Sequence, residues 1–141
     1  IHRSLIKAFN DGSDIEARRD MMAASLMGAT SFQKGLGAMH AMSHPLGAHL
    51  KIHHGLSNAI VMPYVLHKNH SVISKRMEDL ARYLKLDGTV LDWVLELRRT
   101  LKIPHTLAEV GFTESHCALL AADSVNDPTA GTNPILLTEK D

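Results

Sequence analysis

The chain has 141 residues, 45% of them hydrophobic, and its 15 basic residues balance 15 acidic ones. That balance leaves no field to draw in nucleic acid or an anionic membrane, and both partners are disfavoured. The apolar runs fall far short of the eighteen or so residues a membrane helix needs, and no signal-peptide pattern is read at the start. A lone cysteine, Cys117, excludes an internal disulfide framework and fits a reducing cytoplasm. With Ile1 in place of an initiator methionine, residues 1–141 read as one domain at most, a piece of a longer protein. A chain of this size can bury roughly 68% of its unfolded surface.

Almost every segment reads as helix. Ser13 and Glu16 have the spacing of a capping box, after which Ala17, Met21, Ala24, Leu26 and Gly28 run through a small-residue helix whose methionines read as core filler. Gly35-Leu-Gly37 is a weak echo of a phosphate-binding loop. It follows a helical run instead of a strand and lacks the third glycine.

Seven of the ten histidines fall between Gly35 and His70. Packing gains nothing from that density, so metal binding or acid/base chemistry is the first explanation to test. His40 and His44 stand four apart, which on a helix puts both rings on one face, one turn apart. His54 lies fourteen residues beyond His40, about 21 Å along a straight helix, too far for two ligands of one ion. For the two to share a metal, the chain must turn back between them. Pro45 and Gly47 can kink or restart the helix after His44, and Gly55 follows His54. A helix ending near Lys51, a loop from Ile52 to Gly55 and a new helix from Leu56 would bring His54 back to the His40 face. The plain structural alternative is a pair of satisfied polar side chains at a helix packing surface. His49 and His53 read as solvated, His67 and His70 as residues near a helix end, and His2, His105 and His116 belong to no constellation.

From Ser71 onward Ile73, Met77, Leu80, Ala81 and Leu84 recur at helical spacing until Leu86-Asp87-Gly88 breaks the chain. Thr89 caps the next helix, whose apolar stripe of Val90, Leu91, Val94, Leu95 and Leu101 surrounds Trp93 before Pro104 stops it. Thr113 caps another, carrying Cys117, Leu119 and Leu120, where Cys117 reads as a packed, inert thiol. Asp127-Pro128 and Asn133-Pro134 mark a looped tail.

The run His40-Ala-Met-Ser-His44-Pro-Leu-Gly47, followed by His54-Gly55-Leu-Ser-Asn58-Ala-Ile, Pro63 and Asn69, resembles the signature of the iron-containing (group III) alcohol dehydrogenases. The segment from Asp11 to Arg18 with the helix after it, and the region from Asp123 to Pro134, resemble the parts of that family flanking the signature. The likeness thus covers nearly the whole chain. Many members have Pro where this chain has His53.

The resemblance implies an all-α helical bundle, the C-terminal domain of a dehydroquinate synthase-like fold. It implies that His40 and His54 are two of four ligands of a divalent metal, Fe(II) or in some members Zn(II), and that His44 lies beside the nicotinamide of NAD or NADP and the substrate as a proton relay. The other two ligands, an Asp and a His four apart, are expected upstream of Ile1, together with an N-terminal nucleotide-binding domain. Gln33 and Lys34 are placed near the substrate pocket. The metal acts as a Lewis acid on the oxygen of a small alcohol or carbonyl substrate, and an imidazole that titrates near neutrality is the available proton shuttle. A cytoplasmic homodimer is the expected form, inactive as the isolated piece. A non-catalytic helical metal-binding module is the alternative, and a helical interaction domain with incidental histidines a further one.

Overall fold

The computed structural model describes all 141 residues, which form six α-helices joined by turns and no strand. The all-helical class expected from the periodicity is therefore the observed one. The chain divides into two compact units, Ile1–Gly35 and Leu36–Asp141.

In the first unit the short α1 (Leu5–Asn10) packs on α2 (Ile15–Ser31), and the Ser4 hydroxyl donates to Asp20 Oδ2 at 2.7 Å. The expected Ser13–Glu16 capping box does not form. Asp11 captures both the backbone N–H (2.8 Å) and the hydroxyl (2.6 Å) of Ser13, and the Asp14 carboxylate caps α2 by accepting from Ala17 N at 2.9 Å. Two of the three methionines of α2 are not core filler either: Met22 is 75% and Met27 73% exposed, Met21 is half-buried, and Ala17 is the one buried residue of the helix. Gln33 and Lys34 sit on an exposed 3-10 turn, Phe32–Lys34.

The second unit is built on α3 (Ala38–Leu50) and α4 (His54–Leu84). Gly37, at a φ of 75° that side chains rarely adopt, leads into α3. The tail caps this start: Asn133 Oδ1 accepts from Ala38 N at 3.2 Å, and Thr132 Oγ1 from Gly37 N at 3.1 Å. Pro45 does not end or restart the helix. It is buried inside α3, which continues to Lys51, a left-handed cap whose N–H donates to Gly47 O.

Only residues 51–53 separate the two helices, so α4 starts at His54, two residues earlier than the spacing suggested. It then runs unbroken through Pro63 to Leu84 and absorbs the stripe from Ile73 to Leu84, so His67 and His70 lie in mid-helix and not near an end. Left-handed Lys85, with Leu86 N donating to Ala81 O, closes it.

Thr89 caps α5 (Val90–Thr100) with the reciprocal Asp92 bonds of a capping box, as its position predicted. The helix ends at Thr100, capped by Leu101 and followed by left-handed Lys102, before Pro104 is reached. A 3-10 turn, Glu114–His116, leads into α6 (Cys117–Asn126), where Cys117 is exposed instead of packed. Helix α3 packs against α4 and α6, and α4 against α5. Leu46, Ile52, Val61 and Leu120 form the core, with Met42, Leu107 and Phe112 packed on it.

Two polar clusters tie this unit together. Asn69 and Asn133 exchange amide hydrogen bonds at 3.0 and 2.9 Å, and both side chains are buried. Arg98, also buried, donates to His105 Nδ1 at 3.1 Å and lies 3.4 Å from the carbonyls of Ile60 and His105. The His105 carbonyl also accepts from the Tyr64 hydroxyl. His105 thus has a structural role that its sequence position did not reveal.

Candidate metal centre

Residues 51–53 carry the chain back along α3, so α4 begins beside the middle of that helix and not beyond its end. Small side chains allow this approach: Ser43 and Ser57 are fully buried with their hydroxyl oxygens 2.5 Å apart. The same crossing solves the 21 Å problem posed by the spacing. His40, His44 and His54 converge, with ring centres 6.0 Å apart for His40 and His44, 5.2 Å for His40 and His54, and 5.5 Å for His44 and His54.

Each ring is set in a different environment. Burial pushes His40 below its ordinary value, His54 and His44 push the same way, and Asp127 opposes them, so the neutral ring is favoured. His44 donates from Nδ1 to Asp127 Oδ2 at 2.8 Å. Asp127 is fixed in turn by Thr129, whose backbone N–H and hydroxyl donate to Oδ1 at 2.8 and 2.6 Å. His54 has Ser43 Oγ at 3.0 Å from Nδ1 and Asn58 Nδ2 at 3.0 Å from Nε2, an arrangement that leaves Asn58 Oδ1 without a hydrogen-bond partner.

Two imidazoles on one ion, each bound at about 2.1 Å, have ring centres roughly 5 to 6 Å apart. The 5.2 Å between His40 and His54 fits such a pair. The His44 pairs, at 5.5 and 6.0 Å, lie in the same range, but no group of three or more His, Cys, Asp or Glu side chains is placed to hold an ion; His44 gives Nδ1 to Asp127 and keeps Nε2 open. The residues present therefore fit a two-imidazole share of a metal site.

Of the other histidines, His49 is exposed, as expected, and meets an exposed acidic partner. Its Nε2 lies 2.7 Å from Asp123 Oδ2. His53 precedes the first turn of α4 and is exposed. The residues that sequence reasoning passed over are Ser43, Ser57, Asn58, Asp123 and Asp127. The serines left a faint signal in their spacing, since Ser43 adjoins His44 and Ser57 lies one turn beyond His54. Asp127 left none.

Six helices without a strand, with three histidines gathered where α4 crosses α3, define an all-helical domain with a candidate metal centre. The model for the C-terminal region of the Fe-containing alcohol dehydrogenase family matches residues 1–141, and the chain belongs to that family. It is 39% identical over 142 residues to 4-hydroxybutyrate dehydrogenase of Cupriavidus necator, a match covering 91% of this chain and 36% of that protein. It is 32% identical over 152 residues to the NAD-dependent methanol dehydrogenase of Bacillus methanolicus, covering 100% of this chain and 40% of the other. Among solved structures, 1,3-propanediol oxidoreductase superposes with a TM-score of 0.92 at 28% identity, over 99% of this chain and 39% of that one. The chain thus spans little more than a third of the length of the relatives it matches.

Proposed function

We propose that residues 1–141 are the metal-holding helical part of an NAD(P)-linked alcohol dehydrogenase that also reduces aldehydes or ketones, with His40 and His54 as metal ligands and His44 as the proton relay. The observation that carries this reading is the 5.2 Å between the His40 and His54 rings, with His44 within 6.0 Å of both. Fe(II) is the metal the family name points to, Zn(II) the other candidate, and the name of the methanol dehydrogenase relative supports a nicotinamide cofactor. An N-terminal nucleotide-binding domain and two further ligands belong to the same reading, because two imidazoles alone hold a divalent ion weakly. The lone Cys117 suits a reducing cytoplasm.

A bound divalent ion supplies Lewis-acid polarisation of the substrate oxygen. The rest falls to the side chains. His40 is kept neutral by its burial and so offers a lone pair at neutral pH. His44 keeps its Nδ1 proton in the bond to Asp127, which leaves Nε2 to take the hydroxyl proton of an alcohol and to return it to a carbonyl in the reverse direction. Asp127 orients that ring and stabilises the imidazolium formed when the proton arrives.

The test is metal content together with NAD(H)-linked alcohol oxidation on the full-length protein, purified without oxygen, beside His54→Ala. About one metal ion per chain and turnover in the parent, both lost in the variant, is the expected result. Metal bound without turnover would favour the non-catalytic module, and a parent that binds no metal would overturn the reading.

A further inference from the structure

We propose that Ser43 and Ser57 are positioning residues that lock His54 in its Nδ1–H tautomer, so that Nε2 carries the lone pair. The inference comes from counting protons. Four contacts meet at this pair: Ser43 Oγ to Ser57 Oγ at 2.5 Å, Ser57 Oγ to His54 O at 2.9 Å, Ser43 Oγ to His54 Nδ1 at 3.0 Å and Ser43 Oγ to His54 O at 3.1 Å. Both serines are 0% exposed, so no bulk water stands ready to relieve a mismatch.

The two hydroxyls bring one proton each, and the carbonyl can only accept. Suppose Nδ1 carried a lone pair. Ser43 would then have to donate to it, and the single Ser57 proton could serve either the 2.5 Å contact or the 2.9 Å contact, never both. The other contact would press two oxygen lone pairs together. With the proton on Nδ1 three protons serve the 2.5, 2.9 and 3.0 Å contacts, the ring donating to Ser43, Ser43 to Ser57 and Ser57 to the His54 carbonyl, and only the longest contact, 3.1 Å from Ser43 Oγ to that carbonyl, goes without one. The count does not depend on how the Asn58 amide is turned.

The consequence for metal binding rests on the function proposed above. A ligating imidazole has its tautomer fixed by the partner of its other nitrogen, most often a carboxylate or a backbone carbonyl. Here two hydroxyls perform that service and pass the proton on to the carbonyl of the same residue. The hydrogen bonds thus run from the His54 ring back to its own backbone carbonyl, and the ring is oriented through two neutral hydroxyls.

The test has a readout that needs no metal. Long-range ¹H–¹⁵N correlation of the histidine rings in the metal-stripped full-length protein, at mildly alkaline pH where imidazole is neutral, reports the tautomer of His54. Nδ1–H is expected as the major form in the parent. Ser43→Ala moves the population toward Nε2–H, and Ser57→Ala moves it part of the way because the Ser43 proton is then free to face the ring. An Nε2–H majority in the parent overturns the proposal outright, whether or not either variant folds. A tautomer unmoved in a folded Ser43→Ala protein, with its amide spectrum otherwise retained, overturns it as well.

Chelator competition for Zn(II) on the full-length protein then reads the consequence. Ser43→Ala is expected to weaken binding about 10- to 100-fold. If the tautomer shifts but Zn(II) affinity does not, the lock stands and the assignment of His54 as a ligand falls.

Discussion

His44 and Asp127 lie 83 positions apart in the sequence and are joined by a 2.8 Å hydrogen bond from Nδ1 to Oδ2. A ring on α3 is thereby aimed by a side chain in the loop that follows α6. Asp127→Asn keeps the shape of that partner and removes its charge, so the imidazolium formed on His44 loses its counter-ion. In the full-length enzyme kcat is expected to fall about tenfold or more with metal content unchanged. Steady-state kinetics beside metal analysis checks it, and an unchanged kcat would remove Asp127 from the relay.

The same carboxylate makes stability depend on acid. Burial pushes Asp127 up, but the hydroxyl and backbone N–H of Thr129 and the His44 ring outweigh it and hold the group below its ordinary 3.8. The folded chain thus binds this proton less readily than the unfolded one. The contribution is complete above 3.8 and is lost as pH falls through the folded value. Urea midpoints of the parent are expected to exceed those of Asp127→Asn at neutral pH and to converge with them in acid.

Asn133 joins three parts of the second unit: it pairs with Asn69 on α4, accepts from Ala38 N at the start of α3, and donates to Ile135 O at 2.6 Å. Asn133→Ala strands the Asn69 amide and the Ala38 N–H in a buried site. A loss of about 1–3 kcal/mol is expected from each group left unsatisfied, or somewhat less where water enters. Chemical denaturation measures it. Asn133→Asp should not rescue, since a carboxylate cannot donate to Asn69 Oδ1 or Ile135 O.

Leu46 is 2% exposed and sits in the core with Ile52, Val61 and Leu120. Leu46→Ala should cost about 2–5 kcal/mol through lost transfer energy and the cavity left behind. A urea titration with unchanged slope and a lower midpoint is the expected signature. Ile52 belongs to the connection between α3 and α4, so the same cavity loosens the turn that presents His54.

The helical class and the approach of His40, His44 and His54 were legible because both depend on local spacing: a period of 3.6, and histidines four and fourteen apart. The Thr89 cap was legible for the same reason, with Asp92 three residues on. Where competing local partners existed, spacing misled. Asp11 took Ser13 and left the cap of α2 to Asp14. Pro45 looked like a possible breaker but lies inside α3, whereas the end expected near Lys51 is where the helix stops, at a left-handed residue. The tail contacts were out of reach altogether. Asp127 on His44, Asp123 on His49 and Asn133 on Ala38 span 74 to 95 positions, and no periodicity records a pairing at that range.

The connection between α3 and α4 is three residues long, and Ile52 anchors it in the core. It therefore has no slack and behaves as a phase setting for the second helix. One residue gained or lost there would turn α4 by about 100° about its axis. His54 would swing off the His40 face, Ser57 would leave Ser43, and the apolar stripe of α4 would rotate out of the core together with them. The histidine geometry and the packing of the longest helix are thus set by the same three residues, so a length change in this turn would be felt by both at once.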